Sequence, residues 1–224
     1  MEFKNSKMSQ LTFKFPFKTK YYEQDYYVSS NNFSAYRLVE SWPNWPGKWV
    51  NIFGPKGCGK THLANILGKK IDSLFIRASE LNDLVLENLK EKKCLIIDDY
   101  QNNIEEKLMY STLNQINQTD SYIVINSIKP IKKIEVKLND LKSRFDSFIQ
   151  LGIDLPTDDL LRVILTKSFS DKQIKVNIKL LDYILKNIDR TYENVFKFIK
   201  DIDTASLSAG KSININLIKK VLKK

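Results

Sequence analysis

Gly54-Pro55-Lys56-Gly57-Cys58-Gly59-Lys60-Thr61 has the spacing G-x-x-x-x-G-K-[ST], and it restricts the fold more than any other stretch of the chain. Such a loop works only between a strand and a helix. The strand delivers it, the glycines let backbone N–H groups wrap phosphate oxygens, and the helix N-terminus adds partial positive charge. The flanks agree: the apolar run Trp49–Phe53 precedes the loop and a helix-like run from Thr61 to Lys69 follows it. Gly54, Pro55, Lys56, Gly57, Cys58 and Gly59 are therefore expected to cradle a nucleotide. Lys60 should reach its β- and γ-phosphates, and Thr61 should ligate Mg²⁺. His62, the lone histidine, directly follows the motif and is counted with the nucleotide-binding residues, with a helix-facing structural part as its other reading.

A second acidic element supports this reading. Cys94-Leu95-Ile96-Ile97-Asp98-Asp99 is an apolar strand ending in two acids, about 40 residues after the loop. Asp98 is placed to hold Mg²⁺ through water. Asp99 stands where many nucleotide hydrolases carry Glu to polarise the attacking water. Its side chain is one methylene shorter, so slow intrinsic hydrolysis is expected.

Around these two elements the hydrophobic pattern alternates. Ser73–Ile76, Tyr122–Ile125 and Phe148–Leu151 read as further strands. Phe33–Trp42, Glu80–Leu89, Glu105–Gln118 and Leu138–Phe145 read as helices. Strand–helix alternation implies a parallel sheet covered by helices. After Leu155-Pro156 the pattern becomes helical only: Asp158–Ser170, Asn177–Asn187, Thr191–Ser208 and Asn214–Leu222, the first opened by Thr157 as an oxygen-bearing cap. The expected organisation is a tail over 1–20, an α/β nucleotide-binding domain over 21–155 and a helical domain over 156–224.

Composition narrows the class. The net charge is +10, but only five of the 36 basic residues are Arg. Lys (31), Ile (25) and Asn (19) make up about a third of the 224 residues, and all three have A/T-rich codons. The lysine excess is therefore a weak argument for nucleic-acid binding. No apolar run approaches the ~20 residues of a membrane span, and the first ten residues lack the apolar core of a secretory signal. Two cysteines cannot build a disulfide framework or a four-ligand zinc site. A cytoplasmic protein in a reducing compartment is expected, with Met8 an alternative start to Met1.

Taken together, GPKGCGKTHLANIL, LIIDDYQN and LNDLKSRF resemble the AAA+ family of the bacterial replication initiator DnaA, over roughly residues 10–224. The resemblance implies a P-loop AAA+ fold: a five-stranded parallel sheet with helices on both faces and a small all-α lid. It implies ATP or ADP with Mg²⁺ as ligands, and stacking of such domains makes a homo-oligomer possible. By the same resemblance, Tyr27 and Asn32 belong to the segment against adenine. Asn126, and with it Ser127, falls where the first sensor is expected to position the γ-phosphate or the water. Arg144, in Leu141-Lys142-Ser143-Arg144-Phe145, matches the arginine finger, which acts in trans on a neighbour's nucleotide and should stand exposed, away from its own phosphate loop. Read from the residues alone, Arg144 also suits capping helix-end carbonyls or pairing with Asp140. The second sensor departs from the family: the best register puts Glu193 at the family's Arg. Arg190, three residues earlier, shares its helix face only if the helix already includes it.

The chain ends at Lys224, where the lid helices finish, so the initiator's DNA-reading domain is not expected. Ahead of the core, Gln10-Leu11-Thr12-Phe13-Lys14-Phe15 is similar to the peptide that docks on the sliding clamp of the replicative polymerase, the DNA polymerase III β subunit. Gln10 would hydrogen-bond there and Leu11, Phe13 and Phe15 would fill an apolar pocket. A strand with Phe13, Phe15 and Phe17 on one face is the alternative. The combination resembles the regulatory-inactivator branch of the family. That implies a regulator that binds the clamp, meets DNA through it, and stimulates hydrolysis of ATP on DnaA, preventing re-initiation. Two other readings stay open: a self-contained AAA+ ATPase or helicase loader, and a non-catalytic adaptor.

Overall fold

The computed structural model describes residues 21–89, 91–174, 176–209 and 213–222, and they divide into two compact units, 21–155 and 156–222. The Gln10–Phe15 motif lies outside the described residues.

In the first unit, α1 (Phe33–Glu40) leads to β1 (Trp49–Phe53) and the phosphate loop, followed by α2 (Lys60–Lys70). Then come β2 (Ser73–Arg77), α3 (Asp83–Leu89), β3 (Cys94–Tyr100), α4 (Glu106–Gln118), β4 (Tyr122–Ser127), α5 (Asn139–Asp146) and β5 (Ile149–Gly152). The five strands form one parallel sheet in the order β2-β3-β4-β1-β5. Leu95, Ile96, Ile97, Ile123, Val124 and Ile125 are fully buried, as expected where helices cover both faces of a parallel sheet. One large apolar cluster joins β2, β3 and β4 to α3, α4 and α5.

The structure refines three element ends, each for a local reason. The helix expected from Glu80 starts at Asp83. Glu80 turns back to accept the Arg77 N–H at 2.8 Å, and Asn82 Oδ1 takes the Val85 N–H at 3.0 Å as a cap. β4 runs on through Asn126 and Ser127, which pair with Ile52 and Phe53 of β1. β3 continues to Tyr100 past a bulge at which Asp99 adopts φ 58°.

The second unit packs α6 (Asp158–Asp171), α7 (Ile178–Asn187), α8 (Tyr192–Ala209) and α9 (Ile215–Leu222) around Leu161, Leu165, Phe169, Ile184, Val195 and Ile202. A side-chain oxygen receives a backbone N–H at the start of each helix. Thr157 takes Leu160 N–H (3.3 Å), Asn177 takes Leu180 N–H (2.9 Å), Thr191 takes Asn194 N–H (3.2 Å) and Asn214 takes Leu217 N–H (3.0 Å). Thr157→Ala should lower stability by about 1 kcal/mol, read as a small drop in the denaturant midpoint.

Candidate functional site

The strand order sets the site before any side chain is considered. β1 lies between β4 and β5, with β3 on the far side of β4. In a parallel sheet, the ends of β1, β3 and β4 therefore open on one edge. That edge gathers the phosphate loop, the Asp98-Asp99 pair and Asn126.

The loop conformation depends on its glycines. Gly57 and Gly59 have φ of 83° and 97°, where a side chain would strain the backbone. A Cβ on Gly54 would lie 2.5 Å from the Ile153 carbonyl oxygen. The Lys60 ammonium is drawn back over the loop, donating to the Gly54 and Pro55 carbonyls at 2.8 and 3.0 Å. Cys58 is buried beneath it, its Sγ 3.7 Å from Lys60 Nζ, and burial raises the thiol pKa above its usual value. Lys56 and Gly57 are exposed on the rim of the loop, with Pro55 half-buried beside them.

Thr61, Asp98 and Asn126 converge. Thr61 Oγ1 donates to Asp98 Oδ2 at 2.8 Å, and Asn126 Nδ2 donates to Asp98 Oδ1 at 2.8 Å. Asp98 is buried, and the fully buried Asn126 keeps its Oδ1 without a hydrogen-bond partner among the described residues. An unpaired buried amide oxygen is costly, so this atom is suited to accept from a water or from a metal-bound water. No group of three or more His, Cys, Asp or Glu side chains among the described residues forms a metal cage. Mg²⁺ is usually held by one or two protein oxygens, phosphates and waters, and Thr61 and Asp98 offer two such oxygens side by side. The residues present thus fit a nucleotide with Mg²⁺, with Thr61 and Asp98 on the metal side and Lys60 with the loop on the phosphate side.

The other expected residues are placed more variously. Asp99 is exposed and accepts from Gln101 Nε2 at 2.8 Å, outside the Thr61–Asp98–Asn126 cluster. In the segment expected against adenine, Asn32 braces the loop itself. Its Oδ1 takes the Ser29 N–H at 2.9 Å and its Nδ2 donates to the Tyr27 carbonyl at 2.9 Å. Tyr27 is exposed, and Asn31 ties the segment to the Asp154 and Leu155 carbonyls. His62 Nε2 lies 2.7 Å from the Tyr22 carbonyl oxygen, its ring between those of Tyr21 and Tyr26.

Arg144 sits in the last turn of α5, which leads into the start of β5. Its guanidinium lies over the Trp49 ring, 5.5 Å from the centroid, and Nη2 donates to Asn114 Oδ1 at 3.0 Å. Trp49 begins β1 and the phosphate loop follows its end, so Arg144 occupies the opposite edge of the sheet. At the usual strand rise, β1 alone separates the two by about 13 Å. Arg144 thus lies away from its own phosphate loop. It is not fully exposed as expected, since the side chain is half-buried against Trp49.

Arg190 precedes α8, which begins at Tyr192, so it does not share a helical face with Glu193. Its guanidinium is paired within the helical unit, Nε to Asp158 Oδ1 at 2.6 Å and Nη2 to Oδ2 at 3.2 Å. This fork holds the Asp158 carboxyl below its ordinary pKa.

Sequence reading took Trp49–Phe53 as simply apolar and passed over Asn51. The structure shows it fully buried at the centre of β1, bonded to the end of β4. A lone amide inside a strand buried on both faces is the signal that marks it.

Among known proteins, the family model described as RNA helicase matches residues 50–138, and the model described as Hda, lid domain matches residues 158–222. The DnaA of Borrelia garinii subsp. bavariensis is 29% identical over 266 residues, covering 94% of this chain and 54% of that protein. The chain spans about half the length of the curated relatives it matches. Domain III of Thermotoga maritima DnaA superposes with a TM-score of 0.78 at 22% identity, over 93% of this chain and 98% of that one. AMPPCP-bound DnaA from Aquifex aeolicus superposes with a TM-score of 0.68 at 21% identity, over 85% of this chain and 67% of that one. No helix among the described residues is long and apolar enough to cross a membrane.

Proposed function

We propose, for a chain that is a DnaA-related AAA+ protein with an Hda-type lid, that it regulates replication initiation by acting on DnaA. It holds ATP or ADP with Mg²⁺ in its own phosphate loop. It offers Arg144 to the ATP of DnaA, where guanidinium charge stabilises the phosphoryl-transfer transition state. The DnaA–ADP that results no longer initiates. The observation that carries this reading is the position of Arg144, on the sheet edge opposite its own phosphate loop. A guanidinium there cannot reach its own nucleotide across the sheet, so its catalytic use requires a second molecule.

Within this chain the geometry supports a division of labour. The loop and Lys60 would bind phosphate, and Thr61 and Asp98, joined by a hydrogen bond, would hold Mg²⁺. Asn126 orders the polar groups beside it. Asp99 faces Gln101, which supports a nucleotide kept as a structural ligand over one turned over rapidly. The experiment is single-turnover decay of ATP pre-bound to DnaA, with this protein and clamp loaded on DNA. Faster decay is expected, and an unchanged rate overturns the reading.

The tether is the Gln10–Phe15 peptide. Wild-type protein is expected to retain the clamp in a pull-down, and Gln10→Ala/Phe13→Ala to lose it. Equal recovery by both would remove the clamp from the scheme. Retention should also survive added salt, because apolar docking lacks the steep salt dependence of phosphate contacts.

A self-contained ATPase is the second reading, favoured by the assembled Thr61–Asp98–Asn126 cluster. Multiple turnover by the protein alone, abolished by Lys60→Ala and indifferent to DnaA, would replace the first reading with this one.

A further inference from the structure

Asn51 has no place in the nucleotide chemistry described so far, yet its side chain makes three hydrogen bonds inside the sheet. It lies two residues before the phosphate loop strand ends, fully buried, and all its amide groups are engaged. Nδ2 donates to the Ile125 carbonyl and to Ser127 Oγ, both at 2.8 Å, and Oδ1 accepts the Ile131 N–H at 3.1 Å. Ser127 extends the connection: its Oγ donates to the Lys129 carbonyl at 2.6 Å, and its carbonyl accepts the Gly54 N–H at 3.2 Å.

The bonds fall on either side of Asn126. Ile125 and Ser127 are tied to Asn51, and strand alternation turns Asn126 between them to the other face, where it meets Asp98. The chain leaving β4 is pinned at Lys129 and Ile131 by the same network. Ser127 also joins this strand end to Gly54, the first residue of the phosphate loop.

We propose that Asn51 is a positioning residue for the nucleotide site. It acts through Ser127 and Ile131 to hold the end of β4 in register with the phosphate loop, so that Asn126 faces Asp98 and the γ-phosphate position. Asn51 touches neither nucleotide nor metal. Its influence is on discrimination between tri- and diphosphate, because only the triphosphate reaches the side chain it aims. The inference rests on reading Asn126 as the γ-phosphate contact.

The test is equilibrium binding of Mg²⁺–ATP and Mg²⁺–ADP to the full chain carrying Asn51→Val, Ser127→Ala or Asn126→Ala. Valine keeps the strand preference and removes all three bonds. Loss of such a supporting contact is expected to weaken ATP about tenfold, with ADP changed less than about twofold. Ser127→Ala should move the ratio in the same direction by less. Equal weakening of both nucleotides would mean only a loosened fold and would overturn the proposal, as would an unchanged ratio. Should Asn51→Val not fold, the ratio in Ser127→Ala decides alone. If Asn126→Ala leaves the ratio untouched, the sensor reading fails and this proposal fails with it. If Asn126→Ala shifts the ratio and the other two do not, the positioning role alone is wrong.

Discussion

Replacing Arg144 with alanine is expected to slow partner-dependent ATP hydrolysis on DnaA by on the order of 10³-fold. Nucleotide affinity should change little, and stability should fall by no more than about 1–2 kcal/mol. The expectation follows from what the side chain touches. Its contacts within the chain are the Trp49 face and a hydrogen bond to Asn114. A half-exposed cation–π contact and one such bond are together worth only about 1–2 kcal/mol. In the partner's site the same guanidinium would face charge that develops only in the transition state, in a dry environment where it counts for more. Arg144→Lys separates charge from shape: lysine keeps the positive charge without the planar fork, and should restore little of the rate. If Arg144→Ala stimulates hydrolysis as well as wild type does, the finger assignment is wrong. If it instead loses its own nucleotide, Arg144 serves its own site.

The fold was readable because its signals are local. The loop spacing, the flanking apolar runs and the oxygen-bearing helix starts each occupy fewer than about a dozen residues, and strand–helix alternation then leaves a parallel sheet as the solution. Thr61 and Asp98 were identified the same way and meet at 2.8 Å. What was not readable depends on contacts distant in sequence or on backbone details. Asn51 gains its meaning from Ser127 and Ile131, some 80 residues away. Asp99 looks like a second catalytic acid in the string, but a positive φ at the bulge turns it towards Gln101. Arg190 could share a face with Glu193 only if the helix included it, but the helix begins after it and Asp158 holds it. Asn32 is polar and in the expected segment, yet its amide closes the loop on itself.

The second large effect is expected at Lys60. Lys60→Ala should raise the Kd for both ATP and ADP by about a hundredfold or more, measured by calorimetry or by displacement of a fluorescent nucleotide. In the structure the ammonium bonds two loop carbonyls at 2.8 and 3.0 Å. These bonds have an ionised donor but sit at a half-buried position where water can replace them, so the substitution should cost the free protein less than the same ammonium contributes on phosphate. With nucleotide, the same ammonium faces phosphate oxygens, and two charge-assisted bonds of about 1.5–3 kcal/mol each are at stake. The difference between these states is what binding loses. Thermal melts show the same contrast: wild type should gain about 2.7 kcal/mol at a nucleotide concentration of 100 times its Kd, and Lys60→Ala almost none. The variant also decides what the nucleotide is for. Arg144 lies on the other edge of the sheet and needs no atom of the phosphate loop, so a nucleotide-free protein could still present it. If Lys60→Ala cannot bind nucleotide yet still stimulates DnaA, the bound nucleotide is dispensable to the finger. If stimulation is lost while the apo fold melts normally, the nucleotide holds the arrangement in which Arg144 meets its partner.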